Sequence, residues 1–344
     1  MSATVNAHAD RAAVPAPSND ASAFHFELAG YEPTPVHELR ATADELRLAA
    51  VLVKDESNRF GLPAFKVLGA SWATERALRD RPSTHTLVAA SAGNHGRAVA
   101  HIAARRGLRS RIFLPARSVT PRREAIAQEG AEVVVVNGTY EDAVAQATEA
   151  AAELGVLEIA DVGTSDTARW VIDGYATLFE EAAAQAAFDV IVVPAGVGSL
   201  AAAAAQHAAR AAAKVVAVEP ATAACLTASL RAGEPTAVAT PGTSMAGLDC
   251  SEISAGAWPT LRAGIHGTIT VEDHEAHAAM RELARAGLAI GDSGAAPLAA
   301  LRRLATDPEA GALREVVELT PASRVLLIAT EGPTDPESYA RVVA

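Results

Sequence analysis

Short unbroken runs of aliphatic and β-branched residues recur along this chain, and most are followed by a stretch with helical character. The runs at 86–90, 111–115, 132–136, 189–193, 214–218 and 324–329 are polar at most at their first position. A strand with one wet face alternates apolar and polar residues; a strand covered on both faces has no reason to. Helical stretches follow at 95–106, 121–129 and 140–154, with Pro121 suited to a helix start, and an Ala-rich helix follows the run at 189–193. Strand and helix in alternation imply parallel sheets flanked by helices, an α/β protein. A length of 344 residues suggests two domains. Composition does not place the boundary between them, although Gly155 and Gly163 flank a crossing.

Composition removes several functions. The net charge of −12 argues against nonspecific nucleic-acid binding, and no apolar run is long enough for a bilayer span. Residues 1–23, rich in Ala, Pro, Ser and Asn, read as a flexible tail. Cys225 and Cys250 have no neighbour at metal-ligand spacing, so no metal is expected and a reducing cytoplasm is the natural compartment. His274 and His277 have helical i, i+3 spacing but no third ligand, which makes a charged helix face the simpler reading.

The basic residues are unevenly chosen. Of 29, only Lys54, Lys66 and Lys214 are lysine. An amine can lose its proton and condense with a carbonyl, whereas a guanidinium cannot. Lys66 lies among Phe65, Val67 and Leu68, an apolar setting that favours a chemical role over a solvated one.

Ligands of parallel sheets collect at the carboxyl ends of strands, and two loops there stand out. Ser91-Ala-Gly-Asn-His-Gly96 follows the first run; its small residues and helix start suit a carboxylate or phosphate. Capping by Ser91 or Asn94 is the plainer reading. Pro194-Ala-Gly-Val-Gly-Ser-Leu200 offers glycine backbone and the Ser199 hydroxyl to an anion. That loop also fits a dinucleotide pattern, with Gly196, Gly198 and Ala201 followed by Glu219 at the end of the next run, so a nicotinamide-dependent oxidoreductase stays open. Gly291-Asp-Ser-Gly-Ala295 reads as a turn capped by Asp292 or Ser293.

Taken in order, Lys66 with Gly69-Ala70, Ser91-x-Gly93-Asn94-His95, the loop from Gly196 to Ser199 and a late hydroxyl resemble the fold type II pyridoxal-phosphate enzymes. This is the group of tryptophan synthase β, serine/threonine dehydratase and cysteine synthase. Within it, Lys54-Asp-Glu-Ser-x-Arg59-Phe-Gly, Gly174-Tyr-Ala-Thr-Leu178 and Thr330-Glu-Gly-x-Thr-Asp335 are similar to the diaminopropionate ammonia-lyases. The resemblance covers roughly residues 30–340. It implies two domains, each with a mostly parallel twisted sheet flanked by helices: residues 24–61 and 166–344 form the large one, which binds the cofactor, and 62–165 the small one. It also implies a homodimer.

The resemblance assigns roles as well. Lys66 would carry pyridoxal 5'-phosphate on its amine and remove the α-proton. Gly196, Val197, Gly198 and Ser199 would hold the phosphate, Asn94 the ring hydroxyl and Thr330 the pyridine nitrogen. Ser91, Ala92, Gly93 and His95 would receive the substrate. The implied activity is α,β-elimination of a small β-substituted L-amino acid, 2,3-diaminopropionate foremost, to a 2-keto acid (pyruvate) and ammonia. Serine/threonine dehydration and β-replacement are the alternatives. One position departs from the ammonia-lyase pattern, which has an aspartate where this chain has Ala92. An alanine accepts no proton, so efficient action on a D-enantiomer is not expected. Asp161 and Asp166 are the candidate proton donors to the leaving group.

Overall fold

A computed structural model describes residues 3–16 and 20–344. The described residues form two sheets. Eleven strands build them: β1 (Ala3–Val5), β2 (Val36–Glu38), β3 (Ala50–Asp55), β4 (Thr86–Ala90), β5 (Arg109–Pro115), β6 (Glu132–Val136), β7 (Val156–Glu158), β8 (Val190–Pro194), β9 (Lys214–Pro220), β10 (Gly267–Val271) and β11 (Arg324–Ala329). The larger sheet runs β1-β10-β9-β8-β11-β3-β2, and the smaller runs β6-β5-β4-β7. The smaller sheet is parallel throughout. In the larger one the five central strands are parallel, and the outermost pairings, β1 with β10 and β2 with β3, are antiparallel.

The apolar runs became strands for the reason their pattern suggested. Every residue of β4 and β8 is buried, because helices cover both faces. The helix Ser199–Ala211 presents Ala201 to Ala205 to the core, where small side chains let it lie close to β8 and β9. Strands β3, β7 and β10 escape the pattern. β3 ends in Lys54 and Asp55 and looks too polar, β7 has three residues, and β10 interleaves threonines.

The N-terminal stretch is not a free tail where it is described. β1 pairs with β10, Ala3 facing Ile269, and the buried Asn6 donates through Nδ2 to the Ile265 and Arg262 carbonyls at 2.6 and 2.8 Å. The helix Asp20–Phe26 buries His25 against the helix Lys66–Asp80. An anchor made of one asparagine and three strand residues leaves little trace in an Ala/Pro/Ser-rich composition. Residues 1, 2 and 17–19 of that stretch lie outside the described residues.

The two sheets meet through helix contacts at glycine. A Cβ on Gly69 would lie 2.6 Å from the Tyr175 ring, and one on Gly174 would lie 2.6 Å from the Leu68 carbonyl. Only glycine lets the helices Lys66–Asp80 and Asp166–Gly174 approach this closely. Among the described residues no helix is long and apolar enough to cross a membrane.

Candidate active site

The segment leading to Lys66 is held at several points. Arg59 and Leu62 exchange backbone hydrogen bonds around Phe60 and Gly61, both at positive φ (54° and 80°). Next, Ala64 bridges to Glu331, the Phe65 N–H donates to the Thr330 carbonyl at 3.3 Å, and the Gly332 N–H donates to the Pro63 carbonyl at 3.0 Å. The chain just past β11 is thereby fastened alongside the chain just before Lys66, the first residue of its helix.

Arg59 itself lies in a buried ionic cluster. Its guanidinium reaches Glu56 (2.6 and 2.9 Å) and Glu181 (2.6 and 2.8 Å), and Lys54 Nζ donates to Glu181 at 2.7 Å and to the Thr34 carbonyl at 2.6 Å. Two cations face two carboxylates with nearly every donor and acceptor used, which is what lets charge exist in a core. Lys54 is therefore a structural lysine.

Lys66 has a different setting. Its Nζ lies 3.0 Å from Asp161 Oδ2, with the Phe65 and Tyr175 ring centroids at 5.5 and 5.9 Å. Burial alone would lower the amine; Tyr175 and Asp161 outweigh it and hold the ammonium above the ordinary lysine range. Burial alone would raise the Asp161 carboxyl, but His95 and the Lys66 ammonium draw it down to about 2.

Asp161 also gathers both loops. Its carboxylate lies 3.8 Å from His95 Nδ1, and its backbone carbonyl accepts from Ser199 Oγ at 3.0 Å. His95 Nε2 donates to the Ile159 carbonyl at 2.7 Å, so that nitrogen carries hydrogen and Nδ1 faces Asp161. Burial lowers the pKa of His95.

The Ser91 loop leads from β4 into the helix Asn94–Arg105, with Ser91 Oγ accepting from the Gly93 N–H at 3.2 Å. Ala92, Gly93 and Asn94 border a cleft of about 600 Å³ whose other walls include Asn58, Gly247 and Glu331. Asn94 Nδ2 donates to Glu331 Oε2 at 2.5 Å.

The second loop carries Gly196, Val197 and Gly198 from β8 into the helix that Ser199 opens. Gly198 has φ +93°, and a Cβ there would lie 2.5 Å from Leu261 Cδ1. The first-turn N–H groups of this helix have no partner within it and suit an anion. The Ser199 hydroxyl spends its proton on Asp161, so its offering to an anion is its backbone N–H.

Two readings are corrected. Asp166 is exposed and pairs with Arg169 one turn along its own helix, whereas Asp161 is the acid that meets Lys66; a capping acid and a catalytic one look alike in sequence. Glu219 is no ribose ligand. It is fully buried and accepts from the Leu226 N–H (2.6 Å), the Thr227 N–H (2.8 Å) and the Thr227 hydroxyl (2.7 Å), capping the helix Cys225–Ala232; burial lifts it to about 7. The dinucleotide reading loses its carboxylate.

Lys66, Asp161, His95, Ser199, Asn94 and Thr330 are thus joined by direct contacts or by the strap at 63–65. Glu331 and the stretch at Gly247 were not anticipated. Glu331 stands inside the Thr330-Glu-Gly motif, and its charge at the end of a buried strand was the available signal. The segment holding Gly247 and Cys250 lies in irregular chain; a Cβ on Gly196 would fall 2.9 Å from the Gly247 carbonyl and 3.0 Å from Cys250 Sγ. Cys225, the other free cysteine, approaches the Gly196 carbonyl at 3.7 Å.

An amine on a helix start, held by a carboxylate beside a glycine anion loop at a strand end, is the equipment of an enzyme that carries a phosphorylated carbonyl cofactor on lysine. The chain belongs to the pyridoxal-phosphate dependent enzymes, whose family model matches residues 28–330. Within that family it is similar to the diaminopropionate ammonia-lyases of Salmonella typhimurium (33% identical, covering 93% of this chain and 90% of the relative) and Escherichia coli (32%, 93% and 89%). The Escherichia coli enzyme, solved with an aminoacrylate-PLP azomethine reaction intermediate, superimposes with a TM-score of 0.90 at 31% identity over 99% of this chain and 96% of that one. Tomato threonine deaminase shares the fold (TM-score 0.81, 21% identity, 98% and 95% covered). The residues present fit the cofactor. Lys66 would supply the amine, and Gly198 at positive φ leaves the backbone clear beside a helix N-terminus where a phosphate would fit.

Proposed function

We propose that this chain is a pyridoxal-phosphate lyase that performs α,β-elimination on a small β-substituted L-amino acid, 2,3-diaminopropionate foremost, releasing pyruvate and ammonia. The observation that carries the reading is the 3.0 Å contact of Lys66 Nζ with Asp161, an acid that also touches both ligand loops. The family membership and the similarity to diaminopropionate ammonia-lyases support it.

When bound, the cofactor supplies a carbonyl for amines and a conjugated ring that accepts the electrons left on the α-carbon. Everything else falls to the chain. Lys66 holds the cofactor, and its Nζ takes the α-proton once substrate has displaced it. The N–H groups from Gly196 to Ser199 would hold the phosphate, Asn94 would hold the ring hydroxyl and Thr330 would meet the ring nitrogen. A neutral hydroxyl there would leave that nitrogen largely unprotonated and so favour loss of a β-substituent over transamination. Ser91, Ala92, Gly93 and His95 border the place of the substrate, whose carboxylate suits the helix start.

Asp161 is the proton donor to a β-substituent that departs unprotonated, a neutral amine or a hydroxyl; a β-ammonium leaves as ammonia with the protons it already carries. The Asp161 carboxyl stays low because positive groups face it. When the ammonium charge leaves Nζ, one of the two groups that hold the carboxyl down is lost and burial raises it against His95, so a proton handed across from Lys66 is held more readily where a leaving group needs it. Ala92 borders the cleft with a methyl group. It offers no second base, so the L-enantiomer is the substrate.

A threonine-dehydratase reading has its own support. The loop Ser91-Ala-Gly-Asn-His95 has that form, and the chain is 30% identical to the threonine dehydratase of Salmonella typhimurium over 274 residues. We also place the enzyme in the cytoplasm as a homodimer. The unpaired Cys225 and Cys250 support the compartment, and the family resemblance supports the dimer. The two sheets support a large domain of 24–61 and 166–344 and a small domain of 62–165.

The test is a visible spectrum of the purified protein before and after borohydride, with peptide mass mapping and an assay of keto acid release. The expected result is a yellow chromophore that bleaches, leaves a pyridoxyl adduct on Lys66, and accompanies pyruvate release from L-2,3-diaminopropionate. Pyruvate or 2-oxobutyrate from L-serine or L-threonine alone favours the dehydratase. A protein that stays colourless with added pyridoxal phosphate overturns the reading.

A further inference from the structure

We propose that Glu331 binds the second amino group of the substrate and thereby selects α,β-diamino acids over β-hydroxy amino acids. The proposal rests on the elimination reading above and deepens it.

Glu331 lies just beyond β11, at the end of the sheet where ligands collect. Its backbone is fixed from two sides, by the bridge to Ala64 and by its carbonyl accepting from the Gly291 N–H at 3.0 Å. The side chain is only 6% exposed, yet it forms part of the cleft wall facing Gly93 and Asn94. A flexible acid has been given one place and one direction.

What surrounds the carboxylate is unusual for a buried acid. Its carboxylate accepts from a neutral group, Asn94 Nδ2 at 2.5 Å, and the neutral Ser293 hydroxyl also acts on it. The charged groups that act on it are Asp292, a like charge, and Arg122, which also lines the cleft. Among the described residues none forms an ion pair with Glu331, in contrast to Glu56, Glu181 and Asp161. Burial and Asp292 push its carboxyl up. A desolvated carboxylate beside another acid is unfavourable in the free protein, and a ligand cation in the cleft removes that disadvantage.

The geometry points to which cation. The helix start at Gly93 and Asn94 suits the α-carboxylate, and Asn94 touches Glu331. An amino acid held by its carboxylate there has a short β-substituent within reach of Glu331. An ammonium group gains a charge-assisted hydrogen bond from the carboxylate, whereas a hydroxyl gains a weaker one. Lys66 is not the missing cation, since its own amine is engaged with Asp161.

The experiment compares L-2,3-diaminopropionate with L-serine on the holoenzyme and on Glu331→Gln, which keeps the size and the contact with Asn94. The quantity read is the ratio of kcat/KM for the two amino acids. Where serine is not turned over, its inhibition constant against KM for diaminopropionate takes that place. Loss of one charge-assisted bond should lower the preference for diaminopropionate by about 10- to 100-fold, mainly through KM. Glu331→Asp, which keeps the charge, should retain more of the preference than Gln, and melting curves report folding of both. An unchanged ratio in Glu331→Gln, or equal losses in the Gln and Asp variants, overturns the proposal. Wild-type turnover of serine without diaminopropionate overturns it while leaving elimination intact. Turnover of neither amino acid removes both.

Discussion

Lys54 and Lys66 are twelve residues apart in the sequence, and both face a carboxylate away from bulk water, yet they do opposite work. Around Lys54 the charges are over-determined. Its side chain is 0% exposed, it donates to both Glu181 and a carbonyl, and Glu181 is held in turn by Arg59. Burial still lowers that amine against the pull of Glu56 and Glu181. Around Lys66 the charges are sparse. One carboxylate faces a side chain that is 21% exposed, with aromatic rings beside it. Its partner Asp161 keeps other ties when the amine is engaged elsewhere, through its carbonyl to Ser199 and across to His95. The number of partners per charge separates a lysine that fixes the fold from one left free for the chemical role proposed for it.

That contrast is open to test at both lysines. Lys66→Arg keeps the charge and a partner for Asp161 but cannot condense with a carbonyl, so turnover should fall by more than about 10³-fold with the melting temperature nearly unchanged. A melting temperature that collapses with the activity would make Lys66 structural and erase the distinction. Lys54→Ala should do the reverse, destabilising the protein by about 3–5 kcal/mol in denaturant titration because it strands a buried negative charge. A loss below about 1 kcal/mol would mean the cluster tolerates imbalance.

Acid titration sharpens the comparison at the carboxylate. Asp161 has its folded pKa depressed from 3.8 to about 2. Its stabilising contribution, about 2 kcal/mol, is therefore fully present above about pH 4 and is lost as pH falls toward 2. Asp161→Asn should flatten that part of the stability profile. The smallest effect is expected at the exposed pair: Asp166→Asn should change stability by no more than about 0.5 kcal/mol and leave turnover as it was.

The legible parts of the sequence were those in which local pattern and tertiary role coincide. Strands β4, β8, β9 and β11 are continuous apolar runs because helices cover them, whereas β6 keeps the same pattern at a sheet edge with Val135 exposed; the runs name all five within a residue or two. β3 sits between β11 and β2, yet its sequence ends in Lys54-Asp55, since a lysine there is made tolerable by Glu181, 127 residues away. No window of sequence contains that fact. At the site, Lys66 and the two loops stood out by residue type, and the structure brings them together at Asp161. Asp161 and Asp166 were indistinguishable because only position separates them. Glu331 was passed over because its place in the cleft is set by the backbone bridge to Ala64.

The pairing of β1 with β10 has a practical consequence for anyone expressing this enzyme. Trimming the first two dozen residues as dispensable would uncover the hydrogen-bonding edge of β10, a strand rich in threonine, isoleucine and valine. Open edges of this kind recruit strands from other molecules. A shortened protein that precipitates would be reporting a missing three-residue cover and not a failure of the catalytic core.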